Sequence, residues 1–201
     1  MVSAMLLAPA SWAADCAPTP RLLTQNYPGA SGMLPGNNLL IPAGKSIPAP
    51  GQKLTLQGRL LDSNCVPVAG AVIELWQVNP FGKWILATPA DRVTPNATFA
   101  GAGRATTDND GQFIFVTAFP AALAKRAPNL NIKINLHGVS DFATVLYFGG
   151  DSRNASDTLY TSLPARDRSR VTLTMSQPAD GDGLIGSIDL VLPSRAPYRT
   201  Y

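Results

Sequence analysis

The 201-residue sequence is poor in charged residues and has a single histidine. Asp, Glu, Lys and Arg make up 14% of the chain, and the formal net charge is +3 at pH 7. The basic residues are spread along the sequence without a cluster interleaved with aromatic residues, which excludes the usual footprint of a nucleic-acid or anionic-membrane surface. The lone His137 has no nucleophile motif near it, so no Ser-His-Asp hydrolase can be argued.

Long hydrophobic runs are also missing. The most apolar stretch lies at the N-terminus and is too short to cross a bilayer, so no membrane span is predicted. It ends in the small residues 11–14 (SWAA), which is typical of a secretory signal peptide. We therefore predict a signal peptide at residues 1–14 and a secreted or periplasmic protein. This leader lacks a basic n-region, which is consistent with truncation and a start codon further upstream; the alternative is an apolar tail.

Cysteine is scarce, with Cys16 and Cys65 alone. An even count behind a leader predicts one disulfide in an oxidising compartment. Such a bridge would join the mature N-terminus to the turn after the first core strand. The alternative is two buried free thiols, but both cysteines lie in polar, turn-like settings, which favours the bridge.

The abundant Gly and Pro residues, 17 and 18 respectively, suit a β-rich domain with many tight turns. Residues 15–51 lack periodicity and predict an extended N-terminal arm, whereas residues 52–201 predict one β-sandwich. Residues 121–126 form the single short stretch that suits a helical turn. The predicted strands cover residues 54–62, 71–77, 104–107, 112–117, 130–136, 144–148, 170–175 and 185–192.

Two local patterns add detail to this β-rich domain. Residues 108–111 (DNDG), between two of the strands, form a strong hairpin signal. In residues 130–136, Asn131 and Lys133 share one parity and the apolar residues share the other, which predicts one buried and one polar face.

Other short motifs have ordinary explanations. Asp108 and Asp110 have metal-like spacing, but a turn favours those residue types for backbone reasons. Asn96 and Asn154 each begin a glycosylation sequon, a pattern that is often a chance match.

Three runs of sequence, in a fixed order and spacing, carry a family resemblance. They comprise residues 58–79 (GRLLD, PVAGA and ELWQVN), residues 99–115 (FAGAGR, TD and GQFIF) and residues 146–151 (LYFGGD). Together they resemble the intradiol ring-cleavage dioxygenases, the protocatechuate and catechol dioxygenase family. The resemblance implies an all-β fold, a single transthyretin-like (prealbumin-like) β-sandwich. Residues 16–28 resemble the N-terminal arm that secreted members carry.

The resemblance also implies a ferric site made of two tyrosines and two histidines, but the matching positions carry other residues. Gly82 leads to Trp84, the Phe-Pro corner leads to Leu123, and the His-x-His motif is replaced by Asn129 and Asn131. A glutamine beside the substrate falls at Val145. In the family's polar active-site set, Arg126 alone is retained.

These substitutions remove the chemistry that ferric iron requires. Fe(III) is a hard ion, which phenolate oxygen neutralises and neutral imidazole supports. Indole N–H is a donor only, leucine offers no ligand atom, and amide oxygens are weak, uncharged ligands. His137 lies roughly 20 Å along the strand from Asn131, at about 3.3 Å per residue. The sequence therefore predicts no iron cofactor and favours a pseudoenzyme.

The former cleft has two interpretations: it is closed, or it binds a small aromatic or polyol ligand. Trp84 is either a stacking platform or a core aromatic, and the two asparagines bind a ligand or satisfy the protein itself. Arg126 orients a ligand or pairs with a carboxylate such as Asp151. The cleft candidates are Trp84, Leu123, Arg126, Asn129, Asn131 and Val145.

Three other functions remain open at this point. They are metal-free catalysis of the cyclase or isomerase type in the same cleft, an active dioxygenase acting on a catechol-type aromatic, and a transthyretin-like adhesion or assembly module. The sequence leaves the oligomeric state and the ligand open.

Overall fold

The computed structural model describes residues 16–41, 44, 46–85, 99–136 and 142–193. The predicted leader, His137 and the sequon at Asn96 lie outside these residues. In the described ranges, no helix is both long and apolar enough to cross a bilayer.

Eight strands form the fold, as the alternating pattern predicts. Each observed strand overlaps one predicted strand, with ends that differ by a few residues. The strands are β1 (Lys53–Leu61), β2 (Val72–Trp76), β3 (Ala102–Thr106), β4 (Gln112–Ala118), β5 (Asn129–Asn135), β6 (Phe142–Phe148), β7 (Thr172–Ser176) and β8 (Leu184–Val191).

The strands form one nearly closed β-sandwich, which confirms the predicted fold class. Their order is β3-β2-β5-β6-β7-β8-β1-β4, so β3 and β4 are the two edges. In this order, β3, β2, β5 and β6 form one layer, and β7, β8, β1 and β4 form the other. A short parallel contact between β6 and β7 joins the layers, with Tyr147 opposite Thr172 and Phe148 opposite Leu173. Inward-facing Leu, Ile and Phe side chains of both layers fill one continuous core.

The N-terminal arm is extended and lies across the sandwich. Its Thr19 N–H donates to Val191 O at 2.9 Å, and its Leu22 N–H donates to Ala143 O at 3.2 Å. The predicted disulfide is confirmed, because Cys16 and Cys65 are bonded with their Cα atoms 5.5 Å apart. The arm is thus attached at its start and hydrogen-bonded along its length.

The predicted helical turn at residues 121–126 is wrong. Leu123 and Arg126 exchange backbone hydrogen bonds of 3.3 and 2.9 Å around a tight turn. Short helices occur instead after β6, at α1 (Thr158–Thr161) and α2 (Ala165–Arg168). The Asp157 side chain caps α1 by accepting from two backbone N–H groups. Four-residue helices have too little periodicity to be read from sequence.

The predicted turn between β3 and β4 is confirmed, but these strands do not pair with each other. Gly111 N–H donates to Asp108 O at 3.0 Å and closes the turn. Beyond it β3 pairs with β2, whereas β4 pairs with β1 in the opposite layer. A bend of the arm lies between the diverging edges, where Arg104 N–H donates to Gly36 O and Val116 N–H donates to Asn37 O, each at 2.9 Å.

The remaining short motifs have structural roles. The Asp108 side chain accepts from Asp110 N–H at 3.0 Å and Gln112 N–H at 2.8 Å, so it stabilises the turn. Asn154 is 7% exposed and its amide donates to Phe148 O at 2.8 Å, so its sequon lies against the protein interior.

Candidate functional site

The positions of the expected iron ligands lie around the ends of β2, β5 and β6. Asn131 on β5 is opposite Trp76 on β2 and opposite Val145 on β6. Trp84 and Leu123 lie in the segments that follow β2 and β4. The residues aligned with the ligands are therefore gathered on one outer region of the β2–β5–β6 sheet.

Asn131 is buried, and both ends of its amide are hydrogen-bonded. It is 1% exposed. Its Oδ1 accepts from Gln25 N–H at 3.2 Å, and its Nδ2 donates to Trp76 O at 3.3 Å. Asn131 thus lies on the predicted polar face of the strand, but the arm covers that face here. That contact joins residues 106 positions apart, so the local parity could not reveal it.

The arm closes over this region through several further contacts. The Trp76 indole N–H donates to Gln25 O at 2.6 Å, and Thr144 Oγ1 donates to Pro20 O at 2.8 Å. The Tyr27 ring meets the Trp76 ring edge to face, with centroids 5.1 Å apart. Residues 20–27 thus cover the outer side of all three strands.

A buried carboxylate binds Tyr27, the last residue of the arm segment 20–27. Glu74 is 3% exposed and accepts from Tyr27 OH at 2.8 Å and from Arg104 Nε at 3.2 Å. Burial, followed by the neighbouring Glu74 carboxylate, raises the pKa of Tyr27. In the sequence, Glu74 is the single acidic residue inside the apolar run of residues 72–76. A buried carboxylate in such a run requires hydrogen-bond donors from elsewhere in the chain.

Trp84 is half-buried in a small apolar cluster beneath the arm. It packs against Met33, Trp76 and Ala102, and its backbone forms an isolated bridge with Val78. Large aromatic rings contribute most to such clusters through the apolar area that they cover. The indole therefore has a packing role at this position.

Leu123 and Asn129 lie at the other side of the same region, and both are half-buried. Leu123 belongs to the tight turn, and Asn129 Nδ2 donates to Ala127 O at 2.7 Å. Val145 is fully buried and packs with Tyr147 and Val171. None of the three presents a charged or basic ligand atom.

Arg126 pairs with Asp157, and the suggested partner Asp151 is wrong. Arg126 Nε donates to Asp157 Oδ2 at 2.7 Å, and its Nη2 donates to the Tyr147 hydroxyl at 2.8 Å. Asp151 instead pairs with Arg153, which lowers the pKa of Asp151. Burial lowers the pKa of Arg126, but its bond to Asp157 and the nearby Tyr147 outweigh that effect and raise it.

The other phenols near the site are also engaged. Tyr147 is fully buried and donates to Asp157 Oδ1 at 3.2 Å. Burial raises the pKa of Tyr147 far above its ordinary value, which keeps the phenol protonated. The Tyr160 hydroxyl bonds to Thr172 Oγ1 at 3.2 Å. These tyrosines therefore serve the protein's own hydrogen bonds.

The donor set does not fit ferric iron. The four expected positions supply an indole, an alkyl chain and two amides, of which Asn131 has both amide groups engaged. In the described part of the chain, no group of three or more His, Cys, Asp and Glu side chains is placed to hold a metal ion. No reaction step through iron can be derived from this site.

A separate groove of about 630 Å³ lies elsewhere, between the edge strands β3 and β4. None of the six cleft candidates lines it. No local sequence pattern indicates this groove, because it arises from the divergence of two strands that a turn connects.

The fold is the β-sandwich that the resemblance to the intradiol dioxygenases implies, and comparisons with known proteins agree. The profile of a family described as "Dioxygenase" matches residues 36–194. The chain is 31% identical over 155 residues to the protocatechuate 3,4-dioxygenase beta chain of Burkholderia cepacia, covering 72% of this chain and 66% of that one. It spans 56% of a curated relative from Rickettsia felis.

Solved structures share the fold. The dioxygenase domain of a dioxygenase carbohydrate-binding protein fusion from Streptomyces sp. SirexAA-E has a TM-score of 0.70 at 24% identity, covering 89% of this chain and 100% of that chain. Catechol 1,2-dioxygenase from Pseudomonas arvilla C-1 has a TM-score of 0.65 at 22% identity, with 90% and 65% covered. The chain belongs to the intradiol dioxygenase family.

Proposed function

We propose that this chain is an extracytoplasmic member of the intradiol dioxygenase family that does not hold Fe(III) and does not cleave aromatic rings. The observation that carries the proposal is the state of Asn131, which stands where a histidine ligand is expected. Its amide is buried and hydrogen-bonded at both ends to the arm and to Trp76, and an uncharged amide oxygen is in any case a weak ligand for Fe(III). The former site is closed beneath the arm.

Closure is favoured over ligand binding at the old cleft. Asn131 and Val145 are both almost fully buried, and residues 20–27 bond directly to the surrounding strands. A small aromatic or polyol ligand would have to displace these arm contacts before reaching them. Metal-free catalysis there receives less support, because Arg126 and Asp157 already satisfy each other.

The disulfide supports the proposed location. Cys16–Cys65 bonds of this kind persist in secreted and periplasmic proteins, where the environment is oxidising. The bond also attaches the arm near residue 16, which favours the closed state. The disulfide therefore holds in place the same arm that covers the former iron position.

Metal analysis tests the proposal directly. The protein is purified from iron-supplemented cells, with a protocatechuate 3,4-dioxygenase prepared in parallel as the iron-binding control. We expect iron far below one atom per chain, no visible tyrosinate-to-iron absorption, and no oxygen uptake with catechol or protocatechuate. Stoichiometric iron with that absorption band, or ring cleavage by the purified protein, would contradict it.

A further inference from the structure

The arm segment 20–27 lies on the sandwich as a thin, extended layer. Arg21, Leu23 and Gln25 are exposed, whereas Leu22 and Thr24 between them are half-buried. This alternation is that of an extended strand with one side against a surface and the other in solvent. The segment therefore contacts the sandwich through one side, as a bound peptide does.

The edge of β6 provides main-chain and hydroxyl contacts for this segment. The described pairing of β6 with β7 covers residues 147–148, so the edge of β6 nearer its start is open to an added strand. There Leu22 N–H donates to Ala143 O at 3.2 Å, and Thr144 Oγ1 donates to Pro20 O at 2.8 Å. Addition of an extended segment to a sheet edge is a recurring mode of peptide recognition.

Two side chains of the sheet hold both main-chain groups of Gln25. Asn131 Oδ1 accepts from Gln25 N–H at 3.2 Å, and the Trp76 indole N–H donates to Gln25 O at 2.6 Å. Asn131 and Trp76 are opposite each other on β5 and β2, so they act on the segment as a pair. Because both bonds go to the main chain, they hold an extended segment without selecting the side chain at this position.

Selection by side chain occurs at two positions that are five residues apart. Leu22 packs against the buried apolar cluster that contains Val145. The Tyr27 hydroxyl donates to buried Glu74 at 2.8 Å, and Lys133 Nζ lies 4.8 Å from the centre of the Tyr27 ring. A buried carboxylate requires hydrogen-bond donors, so this position favours tyrosine over phenylalanine.

The arm occupies these positions as a tethered segment. Cys16–Cys65 attaches one end, and the bend at Gly36 and Asn37 attaches the other. Such tethers give the arm a high effective concentration at the sheet. Asn26 opposes the contact, because its φ of 48° lies in the left-handed region that is uncommon for residues other than glycine. A free peptide with the same contacts should therefore compete once the disulfide tether is removed.

We infer that the outer face of β2, β5 and β6 is a binding site for an extended peptide of another protein, and that the arm blocks this site in cis. The peptide has an apolar residue and, five positions later, a tyrosine. The inference rests on the proposed closure of the former iron position by the arm. Iron content and peptide binding are measured separately, so the failure of one is distinguishable from the failure of the other.

Binding is measured by fluorescence anisotropy with a labelled peptide of residues 18–29 that is blocked at both ends. The receptor is the full chain with Cys16→Ser, Cys65→Ser, Leu22→Ala and Tyr27→Ala, which weakens the arm as a competitor and leaves the sheet unchanged. We expect saturable binding to this receptor and binding weaker by about tenfold or more to the unmodified protein. If the receptor lacks a cooperative melting transition, Cys16→Ser/Cys65→Ser replaces it, and saturable binding is again expected.

Changes in the peptide test the recognition pattern without altering the fold of the receptor. Tyr27→Phe in the peptide should weaken binding about tenfold or more, the effect of losing a hydrogen bond to a charged group. Leu23→Ala is the matched control and should bind as the original peptide does, because Leu23 is 84% exposed. A peptide with serine at every position between Leu22 and Tyr27 should bind within about tenfold of the original, because the bonds between them go to the main chain.

The inference is overturned if the peptide does not saturate the receptor, if Tyr27→Phe binds as tightly as the original, or if Leu23→Ala weakens binding as much as Tyr27→Phe does. Loss of binding by the serine-substituted peptide would also contradict it. Dimers of Cys16→Ser/Cys65→Ser that dissociate on addition of the peptide would support the site and identify the arm of a second copy as an occupant.

Discussion

Asp157 is the residue on which the buried polar network depends. It is fully buried and accepts from Arg126 Nε at 2.7 Å, from Ala127 N–H at 3.0 Å and from Leu159 N–H at 2.9 Å. Asp157→Asn leaves the Arg126 charge without its counterion and weakens the cap of α1. We expect a loss of about 3–5 kcal/mol in the free energy of unfolding, measured with urea.

The matched control is Asp189→Asn, which breaks a salt bridge of the same type at the surface. Arg59 and Asp189 are 46% and 50% exposed, so their removal should cost less than about 1 kcal/mol. If the two variants lose similar stability, the buried network around Asp157 contributes no more to the fold than an exposed salt bridge does.

Gly58 tests how tightly β1 packs against the core ring of Phe113. A Cβ there would approach the Phe113 ring to 2.1 Å, which no side-chain rotation of alanine relieves. Gly58→Ala should therefore destabilise the protein by about 1–3 kcal/mol through overpacking. Chemical denaturation measures this loss.

Gly58→Ala combined with Phe113→Leu gives the decisive comparison. The smaller leucine makes room for the new methyl group, so the double variant should lose less than the sum of the two single losses. Strict additivity would show that the ring and the glycine are not in conflict.

At this scale the residue types were predictable, but their partners were not. The sequence identified Trp84, Leu123, Asn129 and Asn131 as poor ligands from their chemistry alone. It suggested Asp151 for Arg126, whereas the structure pairs Arg126 with Asp157, 31 residues away. Contacts of that sequence separation depend on how the strands assemble, which no local pattern records.

Among the elements, the arm decides whether the former iron position is open. Its Gln25 bonds to Asn131 and Trp76, and its first residues are attached through Cys16–Cys65. Cys16→Ser/Cys65→Ser removes that attachment across a separation of 49 residues. We expect the variant to lose about 2–4 kcal/mol of stability.

Hydrogen exchange locates the effect within the molecule. The amides of Leu22 and Gln25, which bond to β6 and to Asn131, should exchange faster in the serine variant. Leu56 and Phe115, paired in the core strands, serve as internal controls and should keep the slowest exchange. Unchanged exchange at Leu22 and Gln25 would mean that the disulfide does not hold the arm in place.

The elements also show where sequence reasoning succeeds and where it stops. All eight strands could be predicted, because alternation and turn residues are local signals. The turn at residues 108–111 suggested that β3 and β4 pair, yet they form opposite edges of the sandwich. Pairing partners are chosen by the burial of whole faces, so the groove between these strands was invisible in the sequence.

For the molecule as a whole, the two layers meet at a buried phenol. Tyr147 is opposite Thr172 at the short contact that joins β6 to β7, and it bonds to Arg126 and Asp157. Burial raises the pKa of Tyr147 in the folded protein above the value of about 10 in the unfolded chain. This contribution to stability is complete below about pH 10 and is lost as the pH rises towards the folded-state pKa.

The expected outcome is a fall in unfolding free energy above about pH 10, with a slope approaching about 1.4 kcal/mol per pH unit from this one group. Tyr147→Phe should be less stable than the unmodified protein at neutral pH, because Arg126 and Asp157 lose a partner, but its stability should fall less steeply in alkali. Tyr27→Phe, which removes a phenol that is 39% exposed, should change the slope less. Urea titrations across this pH range measure all three proteins. Parallel curves for the unmodified protein and Tyr147→Phe would show that deprotonation of the Tyr147 hydroxyl does not destabilise the contact between the two layers. That contact would then depend on apolar packing alone.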